Sequence, residues 1–450
     1  MISAHFRSEI LKGPWEAFPL PTLPRLTQEC PGKIHYAAGT CPAVSELFRY
    51  LLVVETQKGR RPGMRYSDSI LGSILKPISR RRFDRLVERE GAGAYDKRFD
   101  SWSHLVALIY AQLSGLCSLR GLTASWNANA HHHYHLGVSR LARSTLSDAN
   151  ERRPPSIFKE TFSQLSGLAD RLTRKEGGEM VRLIDATPVP LGRVVDWAKR
   201  NGRIRGLKMH VVYDPKADNP TFVDISHANV NDIEIGRTVP LEAGCTYVFD
   251  KGYCRYDWWS SIDQAGACFV TRMKSSARFR AQRWRTIKKT KGDGFTILDD
   301  AEVKLVSKGN SKLDIPMRRI RLKRDDGTKI ALLTNDLIRS AVQIAALYKA
   351  RWQIELLFRW IKQHLKIRAF LGQNQNAIHL QLLAAMIAYL LLRIAARQSY
   401  LKIPALRFAE LIAARLFSRG SLTDIDKPNR SNPATAAPRH CPNQMAFPYA

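Results

Sequence analysis

Three carboxylates and a short polar stripe are the parts of this 450-residue sequence that could do chemistry. Asp185 follows Val181-Arg-Leu-Ile184 and Asp250 follows Tyr247-Val-Phe249, so each stands at or just inside the end of an apolar, strand-like run. The segment Tyr348-Lys-Ala-Arg-Trp-Gln-Ile-Glu-Leu-Leu-Phe-Arg-Trp-Ile-Lys362 reads as one helix. At about 100° per residue, Tyr348, Arg351, Glu355 and Lys362 share a stripe roughly 60° wide. Arg351 and Glu355 have the spacing of an ordinary surface ion pair. Trp352, Ile354, Leu357, Phe358 and Ile361 fill the remaining circumference, however, and predict a helix substantially enclosed in protein. A carboxylate there needs a compensating cation, either a side chain or a metal.

Strand-end aspartates are often mere turn formers or helix caps. Grouped with Glu355, however, Asp185 and Asp250 would make an all-oxygen ligand set suited to Mg²⁺ or Mn²⁺. Two such ions about 3.5 to 4 Å apart can activate a water or a 3′-hydroxyl and stabilise the leaving oxygen of an in-line phosphoryl displacement. Asp196, Asp214, Asp218, Asp224 and Asp232 fall in turns or mid-strand, and Asp214 and Asp224 are the next of these to test.

The elements that must position these groups are legible in outline. Prolines at 14, 19, 21, 24, 31, 42 and 62 predict a loosely ordered arm over residues 1–63, or an over-extended reading frame whose true start is Met64. Residues 64–175 carry apolar positions at three-to-four spacing and predict a helical domain, with Ser144 or Thr145 capping a helix that Pro154-Pro155 ends. After Gly177-Gly178 the period changes. Strands are expected at Met180–Asp185, Leu207–Tyr213, Thr221–Ile225, Thr246–Asp250 and Ala267–Thr271, and helices at Asp232–Leu241 and Arg255–Gln264, which together make an α/β domain over 176–400. Within it, residues 272–337 predict a β-rich insertion with strands Phe295–Leu298, Ala301–Val306, Met317–Leu322 and Ile330–Thr334. Residues 401–450 read as a last helix and a disordered tail.

Charge indicates the partner. Lys and Arg number 71 against 40 Asp and Glu, a formal charge of +31, which attracts polyanions and disfavours an ordinary metabolic enzyme. Residues 272–291 hold nine basic residues and no acid. Such a run can be a solvated face, but Phe279 and Trp284 interleaved with Arg278, Arg280, Arg283, Arg285, Lys288 and Lys289 favour phosphate contacts with base stacking. The most apolar stretch, Leu382–Leu392, is shorter than the roughly 20 residues of a membrane span and reads as a buried helix. Seven scattered cysteines without a CxxC pair and an N-terminus without an export pattern suit a cytoplasmic protein. The tract His131-His-His-Tyr-His135 is not read as a metal site, because adjacent residues cannot converge and no carboxylate or Cys completes a set; an exposed loop is expected, with Asn127, Asn129 and Arg140 as candidates for DNA recognition.

The spacing Tyr348-x2-Arg351-x3-Glu355-x6-Lys362 resembles the YREK signature of bacterial insertion-sequence transposases with a DDE catalytic domain. Ile184-Asp-Ala-Thr187 is similar to that family's first-Asp motif and Asp250-Lys-Gly-Tyr253 to its second, with Lys251 in place of the usual Arg. The likeness extends over roughly residues 69–400. It implies a ribonuclease-H-like catalytic domain, interrupted by the β-rich insertion and preceded by an all-helical DNA-binding domain. It also implies that Asp185, Asp250 and Glu355 are the catalytic acids and hold two Mg²⁺ or Mn²⁺ ions. Tyr348, Arg351 and Lys362 would contact DNA, and Trp284 would help grip an end. The partners implied are double-stranded DNA, at the terminal inverted repeats and at the target, and a second copy of the chain in a homodimer. Two other readings compete: a catalytically silent DNA-binding remnant, and a metal nuclease of the same fold without preference for particular ends.

Overall fold

Capping side chains set the starts of the first helices. In the computed structural model, which describes residues 68–93, 99–174, 179–191, 195–201, 204–275, 277–286, 291–292, 294–306, 315–365, 367 and 369–427, Ser69 accepts a hydrogen bond from Gly72 N, Asp100 from Ser103 N and Ser118 from Gly121 N. They open α1 (Ile70–Leu75), α3 (Ser101–Ser114) and α4 (Leu119–Ala128), with α2 (Arg80–Arg89) between the first two. Then follow α5 (His133–Leu136), α6 (Arg143–Arg152) and α7 (Ser156–Arg174). The cap expected at Ser144 or Thr145 is absent: α6 starts after Ala142, and both residues lie inside its first turn. The expected arm 1–63, the join at 175–178 and the tail beyond 427 lie outside the described residues.

The next stretch is β1 (Met180–Pro190), β2 (Arg200–Asn201), β3 (Ile204–Asp214), β4 (Asn219–His227), α8 (Asp232–Gly236), β5 (Cys245–Phe249), α9 (Tyr256–Gln264) and β6 (Cys268–Arg272). Helix α8 is half the expected length, because Pro240 cannot continue a helix and disfavours helical backbone at the residue before it. The insertion supplies β7 (Phe279–Trp284), β8 (Lys291–Gly292), β9 (Phe295–Leu305), β10 (Met317–Arg324) and β11 (Lys329–Thr334). The chain then closes with α10 (Ala341–Ala350), α11 (Trp352–His364), α12 (Gln375–Ser399) and α13 (Ala405–Ala414).

Strands β4, β3 and β1 run antiparallel to one another, and β1, β5 and β6 run parallel, giving the order β4-β3-β1-β5-β6. Three antiparallel strands followed by two parallel ones, covered by helices, is the ribonuclease-H-like arrangement. The insertion does not stand apart, since β11 pairs antiparallel with β6 and carries the sheet on through β10, β9 and β7. The two short runs expected at 295–298 and 301–306 are one strand, β9. Asp299 and Asp300, which suggested a break, instead meet basic partners on β10: Asp299 binds Arg321, and the buried Asp300 accepts 2.6 and 2.8 Å bonds from Arg318.

Alternation along the strands fixes which side faces what. Leu183, Val211, Val248, Val270 and Leu332 join the core cluster that contains α11 and α12. Their neighbours Ile184, Val212, Phe249, Phe269 and Leu333 join the cluster on the opposite face, with Trp258 and Trp259 of α9. The first cluster also includes Leu105 and Ile109 of α3 and Phe158 and Phe162 of α7, so the leading helices share one core with the sheet. Helix α12 runs through that core. It is long and apolar enough to cross a bilayer, yet 89% of its most apolar window is buried inside the protein, as expected for a core helix.

Candidate active site

Register brings the first two acids together. Ile184 lies opposite Phe249 in the parallel β1–β5 pair, so Asp185 and Asp250 leave neighbouring strands side by side. By alternation each shares its side with Leu183 or Val248, the side that α11 and α12 cover. Glu355 arrives on that side from the first turn of α11.

The single helix expected over 348–362 is two. Helix α10 ends at Ala350 and α11 begins at Trp352, with Arg351 at the joint. The polar residues still converge, although not by sharing one continuous helical face. Arg351 donates from Nη1 to Asp185 Oδ2 at 3.1 Å and from Nη2 to Glu355 Oε1 at 2.7 Å. Tyr348 Oη donates to Asp250 Oδ1 at 3.4 Å, and Lys362 Nζ donates to Thr187 Oγ1. Enclosure of α11 is also incomplete: Ile354, Leu357, Phe358 and Ile361 are buried, whereas Trp352 is exposed.

Asp185, Thr187, Glu355 and Lys362, with Phe358 and Arg359, line a cleft of about 480 Å³. Burial pushes the Asp185 carboxyl up to about 6; the Ala186 N–H and Arg351 oppose that, and the charges of Glu355 and Asp250 add to it. Burial likewise raises the Tyr348 phenol, helped by Asp250. Burial works against the Arg351 charge, yet Asp185 and Glu355 hold its pKa above the ordinary value.

Among the described residues, no three His, Cys, Asp or Glu side chains stand in a coordination cage. The Arg351 guanidinium lies between Asp185 and Glu355 instead. The donor set nonetheless suits a hard divalent ion, being three carboxylates from three elements, two of which, Asp185 and Glu355, already share a positive group. In the sequence Thr187 reads only as part of the Ile184-Asp-Ala-Thr187 motif, with no role of its own; it stands two residues beyond Asp185 on the same face of β1.

The remaining candidates separate by their contacts. Asp214 binds the buried Arg182, and Asp224 binds Lys159 at 2.6 Å, so both are structural. Asn127 clamps the backbone of Leu141 through both its amide atoms, and Asn129 bonds Ser125 O at 2.9 Å. The histidine tract is helical rather than a loop, with His133 buried against Trp126 and His132 stacked on Phe417. On β7 and its approach, Arg278, Arg280 and Arg283 are exposed, as is Trp284, whose ring meets Arg319 at 5.8 Å. Arg285 is not displayed for DNA: it pairs with Glu302 at 3.1 Å and donates to Leu337 O at 2.8 Å. Lys288 and Lys289 lie outside the described residues.

Comparison with known proteins points the same way. The family model described as a transposase DDE domain matches residues 176–391, and a domain of unknown function matches 67–139. A Sinorhizobium fredii protein bearing the transposase designation y4zB is 60% identical over 304 residues, 68% of this chain and 85% of that one. The transposase assigned to insertion sequence element IS5377 of Geobacillus stearothermophilus is 29% identical over 57% of this chain and 68% of its own length. Among solved structures, the piggyBac transposase synaptic complex with hairpin DNA aligns over 86% of this chain and 90% of that one, at 10% identity and a TM-score of 0.45.

Proposed function

The chain belongs to the DDE transposase family, and from that premise we propose that it cuts DNA at the inverted repeats of its own insertion sequence and joins the freed ends to a target. The observation that supports this most directly is that Asp250 leaves β5 beside Asp185 of β1, while Arg351 bridges Asp185 to Glu355 of α11. These three acids would hold two Mg²⁺ or Mn²⁺ ions, which when bound supply activation of a water or 3′-hydroxyl and stabilisation of the leaving oxygen. Lys362 lines the same cleft and Arg351 contacts two of its acids, and both would offset phosphate charge beside the scissile bond. Tyr348, hydrogen-bonded to Asp250, orients that carboxylate and caps the site on the α10 side.

The exposed Arg278, Arg280, Arg283 and Trp284 would hold the duplex, the arginines on phosphates and the indole by stacking. Two ends would be paired by two copies of the chain, acting on the DNA of the cytoplasm. The reading is tested by cleavage of a duplex carrying the element's end in Mg²⁺. Asp185→Ala, Asp250→Ala and Glu355→Ala should each reduce cleavage at least about a hundredfold. A variant that cuts like the wild type removes its residue from the site, and cutting without regard to end sequence favours a general nuclease.

A further inference from the structure

Arg351 occupies an unusual place for a cation expected to meet DNA. Its two terminal nitrogens are spent on Asp185 and Glu355, at 3.1 and 2.7 Å, and its Nε is buried without a hydrogen-bond partner. A guanidinium in its final position usually satisfies its whole fork of donors. Here one of the three nitrogens, Nε, is left without a partner in a place that water does not reach. Arg351 also sits at the joint between α10 and α11, so its backbone lies between two helices rather than within either.

We propose that Arg351 is the resident cation of the DNA-free site, and that a divalent ion must displace its guanidinium from between Asp185 and Glu355 before the three acids can close. The inference rests on the metal-dependent reading above. A hard ion takes carboxylate oxygens at about 2.0–2.1 Å, closer than the guanidinium holds them, so side chain and ion compete for the same lone pairs. The competition has a use. Two half-buried carboxylates without any cation would repel each other, and the arginine offsets that while the site is empty of DNA. Once released, the guanidinium still faces the cleft, where a phosphate offers the same bidentate geometry that the carboxylates gave up. Arrival of DNA and loading of metal therefore favour one another.

The test is Mn²⁺ binding by the full-length, DNA-free protein, read by the loss of the free-ion electron paramagnetic resonance signal. Arg351→Ala should bind Mn²⁺ about tenfold or more tightly than the wild type, because the competing charge-assisted bonds are gone. Arg351→Lys, which keeps the charge but cannot bridge both carboxylates, should fall between them. Asp250→Asn should lose Mn²⁺, which verifies that the signal reports this site. Equal or weaker binding by both Arg351 variants, with Asp250→Asn still losing the ion, overturns the displacement while leaving the metal-dependent reading intact. Mn²⁺ binding that is indifferent to Asp250→Asn overturns both. Circular dichroism of each variant establishes that its fold is retained, and the lysine variant decides the question should the alanine variant unfold.

Discussion

Asp185 carries opposite demands. The proposed metal-holding role needs it ionised, whereas its burial and the neighbouring Glu355 and Asp250 favour the neutral form and push its pKa to about 6. In the unfolded chain the same group ionises near its ordinary value of 3.8. The folded protein therefore holds a proton that the unfolded chain has released, so this contribution to stability is complete below about pH 3.8 and is lost as pH rises through about 6. In metal-free buffer, thermal unfolding of the wild type and of Asp185→Asn should diverge across that window. The variant should gain on the order of 2 kcal/mol relative to the wild type between pH 4 and pH 7; parallel curves would show that Arg351 already cancels the burial cost. At this scale the acids were legible because a carboxylate after an apolar strand, or inside an apolar helix, contradicts its surroundings. Thr187 was not, because a threonine in a strand contradicts nothing, and its bond to Lys362 exists only once β1 and α11 are packed. The Arg285–Glu302 pair was illegible for the opposite reason: within a basic run nothing marks one arginine as bound, and the register sets Glu302 opposite Arg283 while the Arg285 guanidinium reaches it from just beyond β7.

At the scale of elements, strand positions were readable from apolar runs, while their ends and the helix joint at Arg351 were not. Joints depend on what the helices pack against. The strongest tie between elements is one the sequence disguised. Arg182, almost wholly buried at the start of β1, binds Asp214 at the end of β3 and Asp170 of α7, the latter at 2.9 Å. Asp214 also accepts the N–H groups of Lys216 and Ala217 at 2.9 and 3.0 Å, closing the turn into β4. An aspartate at a strand end looks catalytic from its neighbours alone, but here it is fastened to a buried guanidinium on the strand that carries Asp185. Breaking a buried pair outright costs about 3–5 kcal/mol, and because Asp170 still faces Arg182 the loss of Asp214 should cost less than that. Asp214→Asn should accordingly lower the unfolding free energy by about 1–3 kcal/mol while cleavage per folded molecule stays near the wild-type rate. Lost cleavage at full stability would return Asp214 to the list of catalytic acids.

For the whole molecule, the charge of +31 is the feature that composition alone made plain, but composition does not say which cations meet a phosphate. The structure sorts them. Arg182 and Arg318 are buried in ion pairs, and the half-buried Arg285 is tied to Glu302, so none of these three is free to meet a duplex on the surface. Arg280 and Arg283 stand exposed on β7, at the far edge of the extended sheet and beside the exposed Trp284. Each phosphate neutralised by a displayed cation contributes about 0.9 to the slope of log affinity against log salt. The double variant Arg280→Ala/Arg283→Ala should thus bind duplex DNA more weakly, with a slope shallower by up to about 2. Arg285→Ala should leave the slope unchanged and lower thermal stability instead. Filter binding or fluorescence anisotropy across a salt series separates the two cases. A slope unaltered in the double variant would mean that the duplex lies on another face and that the edge formed by β7 has a purely structural role.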